Sequence, residues 1–168
     1  VFLSIVVIEV IILVPSVLRR ERELLNYLRA LSTAQATGKL DAAAFSNLEG
    51  RDLLEYLQTL ETNQVVLGGA LYDVSGNLIG SFGEPPALTL KQSQQGWSTD
   101  LYNRWQNRYD APWDMPPLRG KYVLIVRQDA SWVTQEFFLF IARITGLVII
   151  ISAFVTGATL YVLRRMLI

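Results

Sequence analysis

The chain has 168 residues, 51% of them hydrophobic, with 15 basic and 15 acidic side chains and neither Cys nor His. Without Cys there is no disulfide scaffold, thiolate zinc site or thiol nucleophile, and without His there is no imidazole base, histidine metal ligand or phosphoacceptor histidine. A net charge of zero, a pI near 6.5 and a mean hydropathy of +0.30 argue against a nucleic-acid binder and against disorder, and are high for an ordinary soluble domain.

The hydrophobicity sits at the two ends. Residues 1–18 (VFLSIVVIEVIILVPSVL) hold 14 apolar residues of 18, with Glu9 the one charge. They read as a membrane helix whose start lies further upstream, since the chain opens without Met inside an apolar run; a cleaved signal peptide is the competing reading. After Pro15 the pattern stays helical. Val17, Leu24, Leu28 and Leu31 form one stripe, and the helix is expected to run to about Ala36, with Thr37-Gly38 ending it.

Asp41 suits the N-cap of a short helix through Leu48 with Gly50 as its stop, and Leu53, Leu54, Leu57 and Leu60 mark another helix. From Val65 the period changes. Val65–Asp73 and Leu78–Phe82 read as strands joined by Ser75-Gly76-Asn77, and Thr89–Gln95 as a helical turn. Leu101–Tyr109 fits a helix by Leu101, Trp105 and Tyr109, and a strand by its alternation with Asn103 and Asn107; strand is favoured. Asp110–Gly120, with three prolines, reads as a loop and Lys121–Arg127 as a strand. Asp129 then caps a helix that meets no breaker before Arg165.

That helix contains Ile144–Leu163, with 14 apolar residues of 20 and no charge, bracketed by Arg143 and Arg164-Arg165. Twenty helical residues span about 30 Å, the thickness of a bilayer's hydrocarbon core. The organisation expected is therefore a membrane helix over 1–18, a domain over 19–136, a second membrane helix with its outer extension over 137–163, and the start of a cytoplasmic linker over 164–168. The domain carries 12 basic and 14 acidic residues, a charge of −2. Arg164-Arg165 favour a cytoplasmic C-terminus and an extracytoplasmic domain. Membrane helices that continue the domain's own first and last helices suit transmission by piston, tilt or rotation.

This layout, with LYDVSGNLIGSFGEPP at the strand–turn–strand and KYVLIVRQDASWV leading into the second span, resembles the Cache (extracellular PAS-like) sensor regions of bacterial transmembrane receptors, cyanobacterial cyclases and histidine kinases among them. The tail LRRMLI is similar to the opening of a HAMP linker. The resemblance implies an α+β, PAS-like antiparallel-sheet domain with a long N-terminal helix, between two transmembrane helices. It also implies a homodimer in a bacterial inner membrane, with both termini cytoplasmic, that binds a small molecule outside and controls a cyclase or kinase inside, adenylate cyclase being favoured.

Several residues carry two readings. Glu9, a carboxylate in a membrane span, is either a polar clamp or signalling hinge between helices, or lies harmlessly near an interface. Thr145, Gly146, Ser152, Ala153, Thr156 and Gly157 make a small, polar face suited to helix packing against Glu9's helix or a symmetry mate, or are simply residues common in membrane helices. Trp97, Tyr102, Trp105, Tyr109, Trp113 and Tyr122 interleave with Arg104, Arg108, Asp110 and Asp114. In the resembled family the pocket lies on this half of the sheet, so that Tyr102, Arg104, Trp105, Arg108, Asp110, Tyr122 and Asp129 are candidates for holding a small carboxylate or amine, against the plainer reading of core aromatics and surface charges. No phosphate loop, activated nucleophile or metal cluster is present, so neither cofactor, nor metal, nor catalysis in this segment is expected. The rival reading is a structural two-span protein whose domain binds another protein.

Overall fold

A computed structural model of the chain describes residues 2–39, 47–59, 65–96 and 99–167, with Lys39 and the first helix through residue 10 described by backbone alone. Helix α1 runs over Phe2–Lys39 and α2 over Gly50–Gln58; strands β1 (Val66–Asp73) and β2 (Leu78–Gly83) follow, then α3 (Leu90–Gln95), β3 (Leu101–Asn103), β4 (Arg108–Trp113), a 3-10 turn (Pro116–Leu118), β5 (Tyr122–Asp129) and α4 (Ser131–Met166). The strands form one antiparallel five-stranded sheet in the order β2-β1-β5-β4-β3. The chain is thus an α+β protein, with a long C-terminal helix. It divides into two units: Arg22–Thr134, and the helix ends Val1–Glu21 with Gln135–Ile168.

Each sheet face carries a core. On one, Leu24, Leu25 and Leu28 of α1 pack with Tyr109 and Ala111, while Leu53 and Leu57 of α2 pack with Leu71, Leu124, Val126 and Trp113. On the other, Ile125 packs with Leu88 and Leu90, the stretch around α3. Strand β5 is central and covered on both sides, so Leu124, Ile125 and Val126 are all fully buried, and the strand reads as a continuous apolar run.

Several expectations are corrected. The buried stripe of α1 is Leu24, Leu25, Leu28, Ser32 and Ala36, whereas Leu31 is exposed, and the helix continues through Thr37 and Gly38. Thr37 bonds its hydroxyl to the Thr33 carbonyl one turn back, consistent with helical backbone there. Gly50 opens α2 instead of closing a preceding helix, at φ +55° and with its N–H donating to the Tyr122 hydroxyl. The Asp41–Leu48 helix expectation lies, except for its last two residues, outside the described residues, as does Leu60.

Leu101–Tyr109 is a hairpin, not one strand. The Asn103 carboxamide oxygen accepts from the N–H groups of Trp105 and Gln106, and Asn107 sits at φ +54°, so the two asparagines that mimic strand alternation are the turn formers. Strand β4 also runs on through Pro112, which the sequence places in a loop. Proline is tolerated there because β3 pairs only with residues 108–110, leaving the outer edge of β4 free at Pro112.

Gly76 takes φ +90° in the β1–β2 turn, which the Asp73 carboxylate ties through the Asn77 N–H. Thr89 caps α3 in a reciprocal capping box with Gln92. Among the described residues one helix, Ser131–Met166, is long and apolar enough to cross a membrane, with a mean hydropathy of 2.5 over its most apolar stretch, none of it buried.

Candidate functional site

The densest polar arrangement in the Arg22–Thr134 unit lies on the α3 side of the sheet. Register places Asp110 of β4 directly opposite Arg127 of β5, on the same pleat face as Ile125. Arg127 grips Asp110 with two prongs, Nε to Oδ1 at 2.8 Å and Nη2 to Oδ2 at 2.9 Å, and its Nη1 reaches Glu84 Oε1 at 3.0 Å. Arg108 brings its Nε to both oxygens of Glu84 at 3.0 Å. Asp110 Oδ2 also accepts from the backbone N–H groups of Ala87 (2.7 Å) and Leu88 (3.2 Å). Two guanidinium and two carboxylate groups thus neutralise one another and clamp the chain after β2 across the sheet.

A glycine makes the close approach possible. A Cβ on Gly68 would lie 2.3–2.5 Å from backbone atoms of Glu84 and Phe82, so only glycine admits the chain there. The Glu84 N–H then bonds the Leu67 carbonyl, setting the carboxylate between its two arginines. Arg108 first, and then Arg127, hold the Glu84 carboxyl below its usual pKa against the opposing effect of burial. Arg127 is raised, chiefly by its bond to Asp110. Charge-assisted two-pronged pairs are the stronger class of hydrogen bond, and the Arg127–Asp110 side chains are 11% and 2% exposed, so solvent screens this pair little.

Of the residues nominated from sequence, Arg108 and Asp110 meet in this network, and the others are dispersed. The Tyr102 hydroxyl lies 2.7 Å from that of Thr134, and Tyr122 takes the N–H of Gly50. Arg104 and Trp105 occupy the β3–β4 turn, with Trp105 92% exposed. Asp129 accepts from the N–H of Ser131 at the start of α4. Tyr109 donates to Asp100, and burial, with this bond, raises the phenol's pKa. Trp97 lies outside the described residues. Sequence reasoning passed over Glu84 and Arg127. Arg127 carried a signal, since it shares its strand face with Val123 and Ile125, where an unpaired charge is not tolerated. Chemically the network is a brace, in which the Nε of Arg108 and the whole of Arg127 are committed to carboxylates of the same chain.

In the helical unit, Leu13, Val14, Val17 and Leu18 of α1 share an apolar groove with Ile141, Ile144 and Thr145 of α4. Gly146 and Ser152 are half-buried, and Ala153, Thr156 and Gly157 are exposed. A Cβ on Gly146 or Gly157 would meet nothing within 4 Å. Within this chain, then, the α1-facing side of α4 is built from larger residues, and the small face at Ala153–Gly157 lies open. The Glu9 side chain is outside the described residues. No group of metal-ligating side chains occurs among the described residues. Comparison with protein-family models, with curated proteins and with solved structures gives no match for this chain.

Proposed function

We propose that the chain is the sensory and membrane-anchoring part of a bacterial receptor. Its sheet domain binds a small molecule outside the cell, and helix motion passes that event to a cytoplasmic module, adenylate cyclase before histidine kinase. The observation that carries the reading is the junction at Ala130. Central strand β5 ends at Asp129 and, one residue later, the helix Ser131–Met166 begins and continues without a break through its apolar stretch. Asp129 caps that start, and the Ala130 N–H bonds the Asn107 carbonyl, so strand, hairpin and helix start are tied together. The antiparallel sheet, the long first helix and the apolar first eighteen residues support the same reading, with residues 1–18 as the other span and a homodimer packed through the small face of α4.

These 168 residues carry no Cys, so a thiol introduced among them is the one thiol of this segment, and labelling is read on the segment itself. Trp105→Cys places that thiol on the exposed hairpin turn. A membrane-impermeant maleimide is expected to label it in intact cells; labelling only after lysis refutes an extracytoplasmic domain. Gly157→Cys is expected to crosslink two copies in native membranes, and Gly157→Leu to alter cyclic-nucleotide or phosphotransfer output of the complete protein. Wild-type output in that variant with no crosslink in the other sinks the receptor dimer and favours a structural two-span protein.

A further inference from the structure

Helix α1 runs along β4 in the same direction as the strand. Leu24, Leu25 and Leu28 pack with Tyr109, Arg29 donates to the Pro112 carbonyl, and Thr33 and Thr37 share a groove with Asp114 and Pro116. The β3–β4 turn, which precedes Arg108, therefore lies at the end of the Arg22–Thr134 unit where α1 comes in. Helix α4 leaves from the same end. The Ala130 N–H bonds the Asn107 carbonyl, the Tyr102 hydroxyl lies 2.7 Å from that of Thr134, and the unit ends at Thr134, four residues into the helix.

On this turn Trp105 is 92% exposed, more than any other large hydrophobic side chain among the described residues. The turn that carries it is tied at both ends. The Asn103 carboxamide accepts from the N–H groups of Trp105 and Gln106 and donates to the Gln106 side chain, and Ala130 holds the Asn107 carbonyl. Its sequence, NRWQN, has one arginine and no acid, a charge that suits a phosphate surface. Tryptophan is the side chain of membrane–water boundaries, where the apolar body of the ring is shielded while its N–H stays wet.

A bilayer lies within reach. From Phe137 to Leu163, α4 carries Arg143 as its one charge, and at 1.5 Å per residue this stretch is about 40 Å long, the thickness of a bilayer with its headgroups. Phe137 is about 10 Å along the helix from Ala130, the residue that holds the turn. Phe138 and Leu139, which follow, are 53% and 42% exposed.

We propose that the β3–β4 hairpin is a membrane contact, with Trp105 among the lipid headgroups of the leaflet on the domain's side. Through the bond between Asn107 and Ala130, this contact sets the height at which α4 leaves the domain. The inference rests on α4 as a membrane span, and on neither the ligand, the output module nor the side of the membrane the domain occupies. Headgroups are hydrated, so a thiol placed on this turn remains open to the maleimide.

The test uses the full chain in vesicles of phosphatidylcholine and phosphatidylglycerol, with acyl chains brominated either just below the headgroup or near the chain end. The emission of the four tryptophans in the wild type, minus that of Trp105→Phe, isolates one indole. This difference spectrum is expected to be blue-shifted from that of an indole in water, and quenched more by the shallow bromines than by the deep ones. Trp105→Phe is expected to melt as the wild type does; a lowered Tm shows that the indole packs within the fold and overturns the inference. A water-like, unquenched difference spectrum in chain that has inserted overturns the inference and leaves the span standing. A chain that does not float with the vesicles overturns both. A blue shift that neither lipid quenches puts Trp105 against a second copy, and stronger quenching by the deep bromines puts it in hydrocarbon; either result overturns the headgroup contact.

Discussion

Replacing Asp110 by Asn tests the brace at its most buried point. Asp110 is 1% exposed and accepts four hydrogen bonds, two from Arg127 and one each from the N–H groups of Ala87 and Leu88. Asparagine keeps the shape but turns one acceptor into a donor, so wherever its NH₂ lies it faces an N–H that wants an oxygen. Arg127, 11% exposed, keeps one bond to the asparagine oxygen, but its one remaining carboxylate is Glu84, 40% exposed and weakened by solvent. Removing one member of a buried pair costs about 3–5 kcal/mol. Against a total stability of about 5–15 kcal/mol for a domain this is a large share, and at a few degrees per kcal/mol it lowers the Tm by roughly 10–20 °C. The assay is thermal unfolding of the full chain in detergent, followed by near-ultraviolet circular dichroism. A double-mutant cycle with Arg127→Met separates the pair from the residues around it, since removing both charges leaves no unpaired ion and should recover about 2 kcal/mol relative to the sum of the single losses. A loss below about 1 kcal/mol for Asp110→Asn, or additive single effects, refutes the brace.

Glu84 adds a pH dependence. Its pKa in the fold lies below its ordinary 4.5, so the stabilisation it provides is complete above that value and is lost as pH falls through the lower, folded value; Glu84→Gln should flatten the acid limb of the stability–pH curve, and an unchanged limb argues against the arginine contacts. Gly68→Ala is expected to cost about 1–3 kcal/mol, because the new methyl group meets Glu84 backbone that cannot step aside, and a wild-type melting curve contradicts this. Gln128 is fully buried with neither amide atom bonded among the described residues, so Gln128→Met should stabilise by about 1 kcal/mol or more; a lowered Tm shows that the amide has a partner after all.

The legibility of the fold followed local chemistry. Strand β5 was readable because an unbroken apolar run over Val123–Val126 between polar ends has few alternatives, and α4 because no breaker interrupts it. The turns at Gly76 and Thr89 were readable because glycine and threonine act there through their own backbone and side-chain geometry. The hairpin at Arg104–Asn107 was misread because asparagine at alternate positions imitates a strand's polar face while its carboxamide favours a turn. Pro112 misled for a related reason: a proline's effect in a sheet depends on whether its outer neighbour is paired, and β3 is too short to reach it.

The site was less legible than the fold. Arg108 and Asp110 stood out by type, but their partners Glu84 and Arg127 lie 24 and 17 residues away in the chain. Sequence alone determined the apolar ends, the α+β alternation and the absence of thiol and imidazole chemistry, since each is a property of composition or of short-range period. The tertiary structure decided which charges are consumed in holding the fold. Pairing between distant residues is set by sheet register, and register depends on the whole packed face, so the closed clamp around Arg127 becomes visible only once the sheet is assembled.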